Sequence, residues 1–229
     1  MPRTGHLQQA LHIVKYIDIH PSNELTFDPQ EFFINSEEMN DAKRKIESMS
    51  SLYVDANEPK PHNAPPPKGR AVQINCFVDS DHAGDRVTRR SHTGILMYLN
   101  KAPISWFSKK QTTVESSTFG SEFVALRIAS EQVISLRYKL RMFGIPIQGF
   151  ANVFCDNRSV FLNASIAESR LSKKHNSVCF HRVRECVASG TLMPFKVDSD
   201  FNLADILTKS LNSIKRLNMR KMIMPEHNK

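Results

Sequence analysis

VQINCFVD (residues 72–79) is the stretch on which the fold turns. It alternates, is rich in β-branched residues and ends on an acid, the pattern of a buried strand. Downstream, turn chemistry at Ser91–Gly94 leads into ILMYL (95–99) and then ISWF (104–107), so the three runs read as an antiparallel meander. From Phe119 to Phe143 the apolar positions Phe119, Phe123, Leu126, Val133, Leu136, Leu140 and Phe143 step by three, four or seven. Gly144 and Pro146 stop the run, which predicts one long helix. NVFCD (152–156) follows as a short buried strand, Asn157–Ala164 as a helix, Val178–Ser189 as a helix ended by Gly190, and LMPFKV (192–197) as a strand. Leu203–Leu211 closes the pattern as a helix capped by Asp200 or Asn202. Strands joined through helices run parallel to a neighbour, so the order βββαβααβα predicts an α/β fold: a mixed five-stranded sheet with helices on both faces.

Upstream, EPKPHNAPPPKGR (58–70) holds five of the twelve prolines and continues neither helix nor inner strand, so it reads as a linker. Residues 1–57 before it form a small, mainly helical segment. Its opening stretch 5–17 spaces His6-Leu7, Ala10-Leu11, Ile13-Val14 and Ile17 as an amphipathic helix that needs a partner surface. The expected organisation is 1–57, linker 58–70, main domain 71–212 and basic tail 213–229. The tail stretch SIKRLNMRKMIM (213–224) carries Lys215, Arg216, Arg220 and Lys221 with apolar residues at helical spacing, which suits a docking helix or a nucleic-acid contact equally.

The chain has 229 residues, 40% hydrophobic and 24% charged, enough for one substantial core. Its net charge is +8, yet the first 70 residues hold 8 basic and 10 acidic side chains, so the basic excess lies wholly beyond them. Charge concentrated in this way suits a polyanionic partner, although scattered surface lysines produce the same total. Cys76, Cys155, Cys179 and Cys186 form no CxxC pair and read as free thiols of a reducing compartment. No apolar stretch approaches the roughly 20 residues of a membrane span, and MPRTGHLQQA has no hydrophobic signal core. The expectation is an intracellular protein, cytoplasmic or nuclear, with no membrane partner. Gly-rich phosphate loops, HExxH and zinc-type cysteine spacings are absent, which removes the commonest nucleotide, metalloprotease and zinc-finger readings.

Four carboxylates fall at element ends: Asp79 at the end of the first strand, Glu122 in the first turn of the long helix, Asp156 ending a later strand and Asp205 near the start of the last helix. If the first and fourth strands are adjacent, Asp79 and Asp156 emerge side by side, and two helix starts bring Glu122 and Asp205 to the same edge. Clustered carboxylates need cations, and hard oxygen ligands suit Mg²⁺ or Mn²⁺, two of which clamp an in-line phosphodiester hydrolysis. The plainer reading is that such acids cap helices and turns. Asp81 and Asp85 crowd the same turn as Asp79, and Asp81 shares its strand parity.

The wording of these segments is itself informative. VDSDHAGD (78–85), RRSHTGILMYLNKAPISWFSKKQTTVESSTFGSEFVAL (89–126), VFCDNRSV (153–160), KKHNSVCFHRVRE (173–185) and NLADILTKSL (202–211) follow one another in order. Together they resemble the RNase H domain of copia-type retrotransposon polyproteins, over residues 71–212. GHLQQALHIVKYI (5–17) resembles the segment after the polymerase palm in the same polyproteins, making 1–57 a remnant of that reverse transcriptase connection. The resemblance implies an RNase H-like fold and metal-dependent cleavage of the RNA strand of RNA–DNA hybrids during reverse transcription. It places the catalytic and metal-binding roles on Asp79, Glu122, Asp156 and Asp205, with two Mg²⁺ or Mn²⁺ ions as cofactors. The partners implied are an RNA–DNA hybrid and an upstream reverse transcriptase polymerase domain. No polymerase activity is expected of this chain, whose first 70 residues are too few to build a palm. The alternative is a non-catalytic nucleic-acid-binding relic of a truncated polyprotein.

Two departures from the family wording matter. The helix start usually written T-E-A-E-Y reads Phe119-Gly120-Ser121-Glu122-Phe123, losing its first acid but keeping the second. The segment K-H-I-D-I-R-Y-H reads Lys174 to His181 with Ser177 and Cys179 in the acidic and arginine positions. His175 survives there as an accessory candidate for substrate contact or product release, weighed against an ordinary helix-flanking histidine. Candidate nucleic-acid contacts are Arg89, Arg90, Lys109, Lys110, Gln111, Lys173 and Lys174, the alternative being solvated loop ends. Trp106 reads as core rather than as a base-stacking platform.

Overall fold

A computed structural model describes residues 3–19, 24–171 and 174–225, apart from the side chain of His175. Helices α1 (Thr4–Ile19) and α2 (Ser36–Ser50) precede strands β1 (Ile74–Asp81), β2 (His92–Leu99) and β3 (Ala102–Lys110). Helix α3 (Thr118–Met142), strand β4 (Ala151–Cys155), helices α4 (Arg158–Ser165) and α5 (Ser177–Ala188), strand β5 (Leu192–Lys196) and helix α6 (Ser213–Ile223) complete the chain. Single 3-10 segments lie at Lys174–Asn176 and Leu203–Leu207.

The strands form one sheet in the order β3-β2-β1-β4-β5. The meander β1–β2–β3 pairs antiparallel, whereas β1–β4 and β4–β5, joined through helices, pair parallel. This is the mixed five-stranded α/β sheet expected from the sequence. Strand alternation sends Ile74, Cys76 and Val78 to one face, where they pack with Phe123, Leu126 and Val133 of α3 and Val183 and Val187 of α5. The other face receives Phe77, Leu96, Tyr98 and Phe154, covered by Leu203 and Ala204 of the second 3-10 segment and by Met219 of α6. Helical structure therefore lies on both faces.

Two elements differ from their sequence reading. Ser91–Gly94 does not turn: Thr93 and Gly94 are rungs of the ladder opposite Ser80 and Asp79, and the reversal falls earlier, in the loop where Ala83 and Arg89 take positive φ. The expected helix Leu203–Leu211 is a 3-10 segment that stops at Leu207. A fresh helix starts at Ser213, capped by Asn212, whose side chain accepts from the Lys215 amide. Gly94 explains the close fit here, since a Cβ on it would lie 2.6 Å from Thr208 Cγ2 and 2.9 Å from the Ala204 carbonyl. The sheet admits the 3-10 segment only because residue 94 has no side chain.

Residues upstream of the proline-rich stretch share these cores. Ala42 and Met49 of α2 are buried in the first, and Phe32 sits edge-on to Tyr98 in the second at 5.4 Å between ring centroids. The proline-rich stretch is tied down at Glu58, which accepts from Arg137 and Arg141 of α3 at 3.1 and 2.7 Å. Burial raises the Glu58 pKa, but the hydrogen bonds and charges of the two guanidinium groups outweigh it and hold the carboxyl below its ordinary range. By contrast α1 buries none of its residues, and Leu7, Leu11 and Val14 lie open to solvent. Cys76, Cys155, Cys179 and Cys186 are all free thiols, as expected. Among the described residues no helix is long and apolar enough to cross a membrane.

Candidate active site

Register carries the first two acids together. Phe77 pairs with Phe154 in the parallel β1–β4 ladder, so two residues further on Asp79, still within β1, stands beside Asp156, the residue that follows the end of β4. Asp156 then precedes α4, whose N-cap Asn157 accepts from the Val160 amide and fixes the exit from the strand. Asp205 arrives on the 3-10 segment. Asn202 caps that segment through the Ala204 amide and donates to the Val78 carbonyl at 3.0 Å, fastening the segment to β1 one residue from Asp79. Glu122 is the fifth residue of α3, whose N-cap Ser117 accepts from the Gly120 amide.

Carboxylate oxygens of Asp79, Asp156 and Asp205 all lie within 4.8 Å of one another. Asp79, Glu122 and Asp205 are buried, and Asp156 is half-buried. Burial raises the Asp79 pKa, against the opposing pull of the Lys209 charge and the Thr208 hydrogen bond. Glu122 is pushed well above its usual range, first by burial and then by the charges of Asp79 and Asp156. The donor set of this site, carboxylate oxygens of Asp79, Asp156 and Asp205, is that of a hard divalent cation such as Mg²⁺ or Mn²⁺. The residues present therefore fit such an ion.

The competing acids of the turn are engaged elsewhere. Asp81 accepts from the His92 amide. Asp85 accepts from the amides of Val87 and Thr88, both at 2.9 Å, and pairs with Lys110; these contacts hold its carboxyl well below the usual range.

The sequence reading missed three residues at this site. Lys209 donates to Asp79 Oδ1 at 3.0 Å and to Asp205 Oδ1 at 2.8 Å. Lys215 donates to Asp205 Oδ2 at 2.8 Å, and the Thr208 hydroxyl donates to Asp79 Oδ2. Burial disfavours the charge on Lys209, but the hydrogen bonds and charges of Asp205 and Asp79 prevail and raise its pKa. The signal available in the sequence was the spacing Asp205-x-x-x-Lys209, which places both side chains on one face of a helical turn.

Among the candidate nucleic-acid contacts, Arg89, Arg90, Lys109, Lys110 and Lys174 are exposed. Lys173 lies outside the described residues, as does the side chain of His175. Gln111 is a correction: it is buried, and its amide donates to Thr93 Oγ1 at 3.0 Å and to the Ser121 carbonyl at 2.9 Å. It braces β2 against α3 and presents no group to a phosphate. Trp106 is a second correction, being 61% exposed because it lies on the edge strand β3.

No protein-family pattern matches the chain. It is similar to the retrovirus-related Pol polyprotein from transposon RE2 of Arabidopsis thaliana, 32% identical over 158 residues that are 68% of this chain and 11% of that protein. The corresponding polyprotein from transposon TNT 1-94 of Nicotiana tabacum is 33% identical over 136 residues, 59% of this chain and 10% of that protein. The chain thus spans about a tenth of the length of the curated relatives it matches. Among solved structures, the N-terminal RNase H domain of rv2228c from Mycobacterium tuberculosis aligns with a TM-score of 0.48 and 11% identity, over 65% of this chain and 99% of that one. LC11-RNase H1 in complex with an RNA/DNA hybrid aligns with a TM-score of 0.48 and 15% identity, over 59% and 94%.

Proposed function

We propose that this chain, whose homologues are retrovirus-related Pol polyproteins of plant transposons, is a copia-type RNase H region that hydrolyses the RNA strand of RNA–DNA hybrids. The observation that carries the reading is the convergence of Asp79, Asp156 and Asp205 at one strand end, with Glu122 in the same electrostatic field. These four side chains would hold two divalent cations. When bound, Mg²⁺ or Mn²⁺ supplies the positive charge and Lewis acidity that phosphodiester hydrolysis requires.

The chain's own contribution is placement. β1 and β4 fix Asp79 and Asp156 through a ladder that cannot slip without turning core side chains outward. Asn202 and Gly94 set the distance of Asp205 from that ladder. The exposed Arg89, Arg90, Lys109 and Lys174 offer charge to a nucleic-acid backbone; Lys110 does so only by giving up Asp85. RNA is told from DNA through its 2′-hydroxyls across a wide, shallow minor groove, so sequence preference is weak.

Labelled RNA–DNA hybrid incubated with Mg²⁺, with chelator, and with the Asp156→Asn protein tests the reading. The expected result is cutting of the RNA strand that chelator abolishes and the variant loses by at least about a hundredfold. A folded protein that binds the hybrid in Mg²⁺ or Mn²⁺ and never cuts it would replace the nuclease with a binding relic.

A further inference from the structure

Each oxygen of Asp79 and Asp205 is already engaged by a donor, and every one of those donors comes from residues 208–215. The Lys209 ammonium lies between the two carboxylates, 3.0 Å from Asp79 Oδ1 and 2.8 Å from Asp205 Oδ1. Thr208 takes the second oxygen of Asp79 and Lys215 the second oxygen of Asp205. Among the described residues no comparable hydrogen bond or ion pair is made to the carboxylates of Glu122 or Asp156. The part of the cluster nearest the tail is thus charge-balanced from within, and the other part is not.

We propose that Lys209 is a built-in counter-ion, which holds the interval between Asp79 and Asp205 in the metal-free protein and competes there with a divalent cation. The inference rests on the reading of these carboxylates as cation ligands. Two lysines reach the cluster, and they differ in their freedom to leave it. The Lys215 amine is also held by the Ser199 carbonyl at 2.9 Å, and its side chain is 23% exposed. The Lys209 side chain is 37% exposed, and its ammonium is a compact charge on a flexible stem, so it can swing into water without disturbing the backbone. Metal uptake then exchanges one positive charge for a doubly charged ion. The protein gains a stable metal-free fold at the expense of affinity for the metal.

Mn²⁺ binding to the full chain, followed by the paramagnetic resonance of the free ion and by calorimetry, tests the inference without reference to activity. Wild type is compared with Lys209→Met, Lys209→Arg and Asp156→Asn, and Lys209→Gln replaces the methionine variant should that one not fold. The uncharged variants are expected to bind Mn²⁺ about tenfold tighter than wild type, the scale of one unit charge a few ångströms away and partly screened by water. Their metal-free forms should melt at a lower temperature and recover with Mn²⁺, while Lys209→Arg stays near wild type. Equal or weaker binding by the uncharged variants would overturn the counter-ion, whereas the ligand reading survives if Asp156→Asn still abolishes binding. Absence of Mn²⁺ binding by every protein, the uncharged Lys209 variants included, would instead remove the ligand reading itself.

Discussion

Glu122 bears an electrostatic cost that can be read from the folded protein alone. Its pKa is raised first by burial and then by Asp79 and Asp156, so folding disfavours its ionised form. The sign follows from linkage: a carboxyl raised on folding leaves stability intact below its unfolded pKa and removes stability as pH climbs towards the folded value. Glu122→Gln is therefore expected to stabilise the metal-free protein at neutral pH by about 1–3 kcal/mol, the scale of an unrelieved buried polar group. Thermal melts should show that advantage shrinking as pH falls towards the ordinary glutamate range near 4.5. The four acids stood out in the sequence because each ends or begins an element, and ends of elements converge at a sheet edge. Lys209 did not stand out, since in LTKSL it reads as one more polar position of an amphipathic turn. Its partner Asp79 lies far upstream, where no local pattern points to it. Trp106 failed for a related reason, because strand alternation names a face but not whether anything covers it.

At the scale of elements, α2 contributes more than its mixed, acidic sequence suggests. Met49 is fully buried in the same core as α3 and α5, and Ala42, two turns earlier on the same face of α2, is buried there too. Met49→Ala is expected to cost about 2–5 kcal/mol, in proportion to the cavity it leaves. Because α2 packs into the sheet's core, chemical denaturation should move as one transition to a lower midpoint, without separate loss of the upstream segment. Eight predicted elements of the sheet and its crossovers correspond to observed ones, as period-2 and period-3.6 patterns survive in VQINCFVD and in Phe119–Phe143. The start of β2 was hidden because Ser91, Thr93 and Gly94 carry turn chemistry, yet Gly94 is required there by the 3-10 segment lying against it. The last predicted helix was too long for a similar reason, since Thr208 bonds to Asp79 where a regular helix would have continued.

On the scale of the whole molecule, α1 stands apart, with no buried residue. Removal of residues 1–19 is expected to leave the melting temperature within about 2 °C, the range of ordinary surface changes in a chain of this size; scanning calorimetry of the shortened protein checks this. Amphipathicity announced that helix correctly, but the pattern cannot say what its apolar side meets. The hydrogen bond between Thr208 and Asp79 joins residues 129 apart in the chain. A ribosome therefore delivers the two halves of the carboxylate cluster at widely separated moments of synthesis. Until residues 202–215 emerge and dock on β1, the β1–β4 ladder gathers only Asp79 and Asp156, and the cluster lacks Asp205. On the proposed reading, a growing chain acquires its power to cut a hybrid only after all five strands of the sheet have been made.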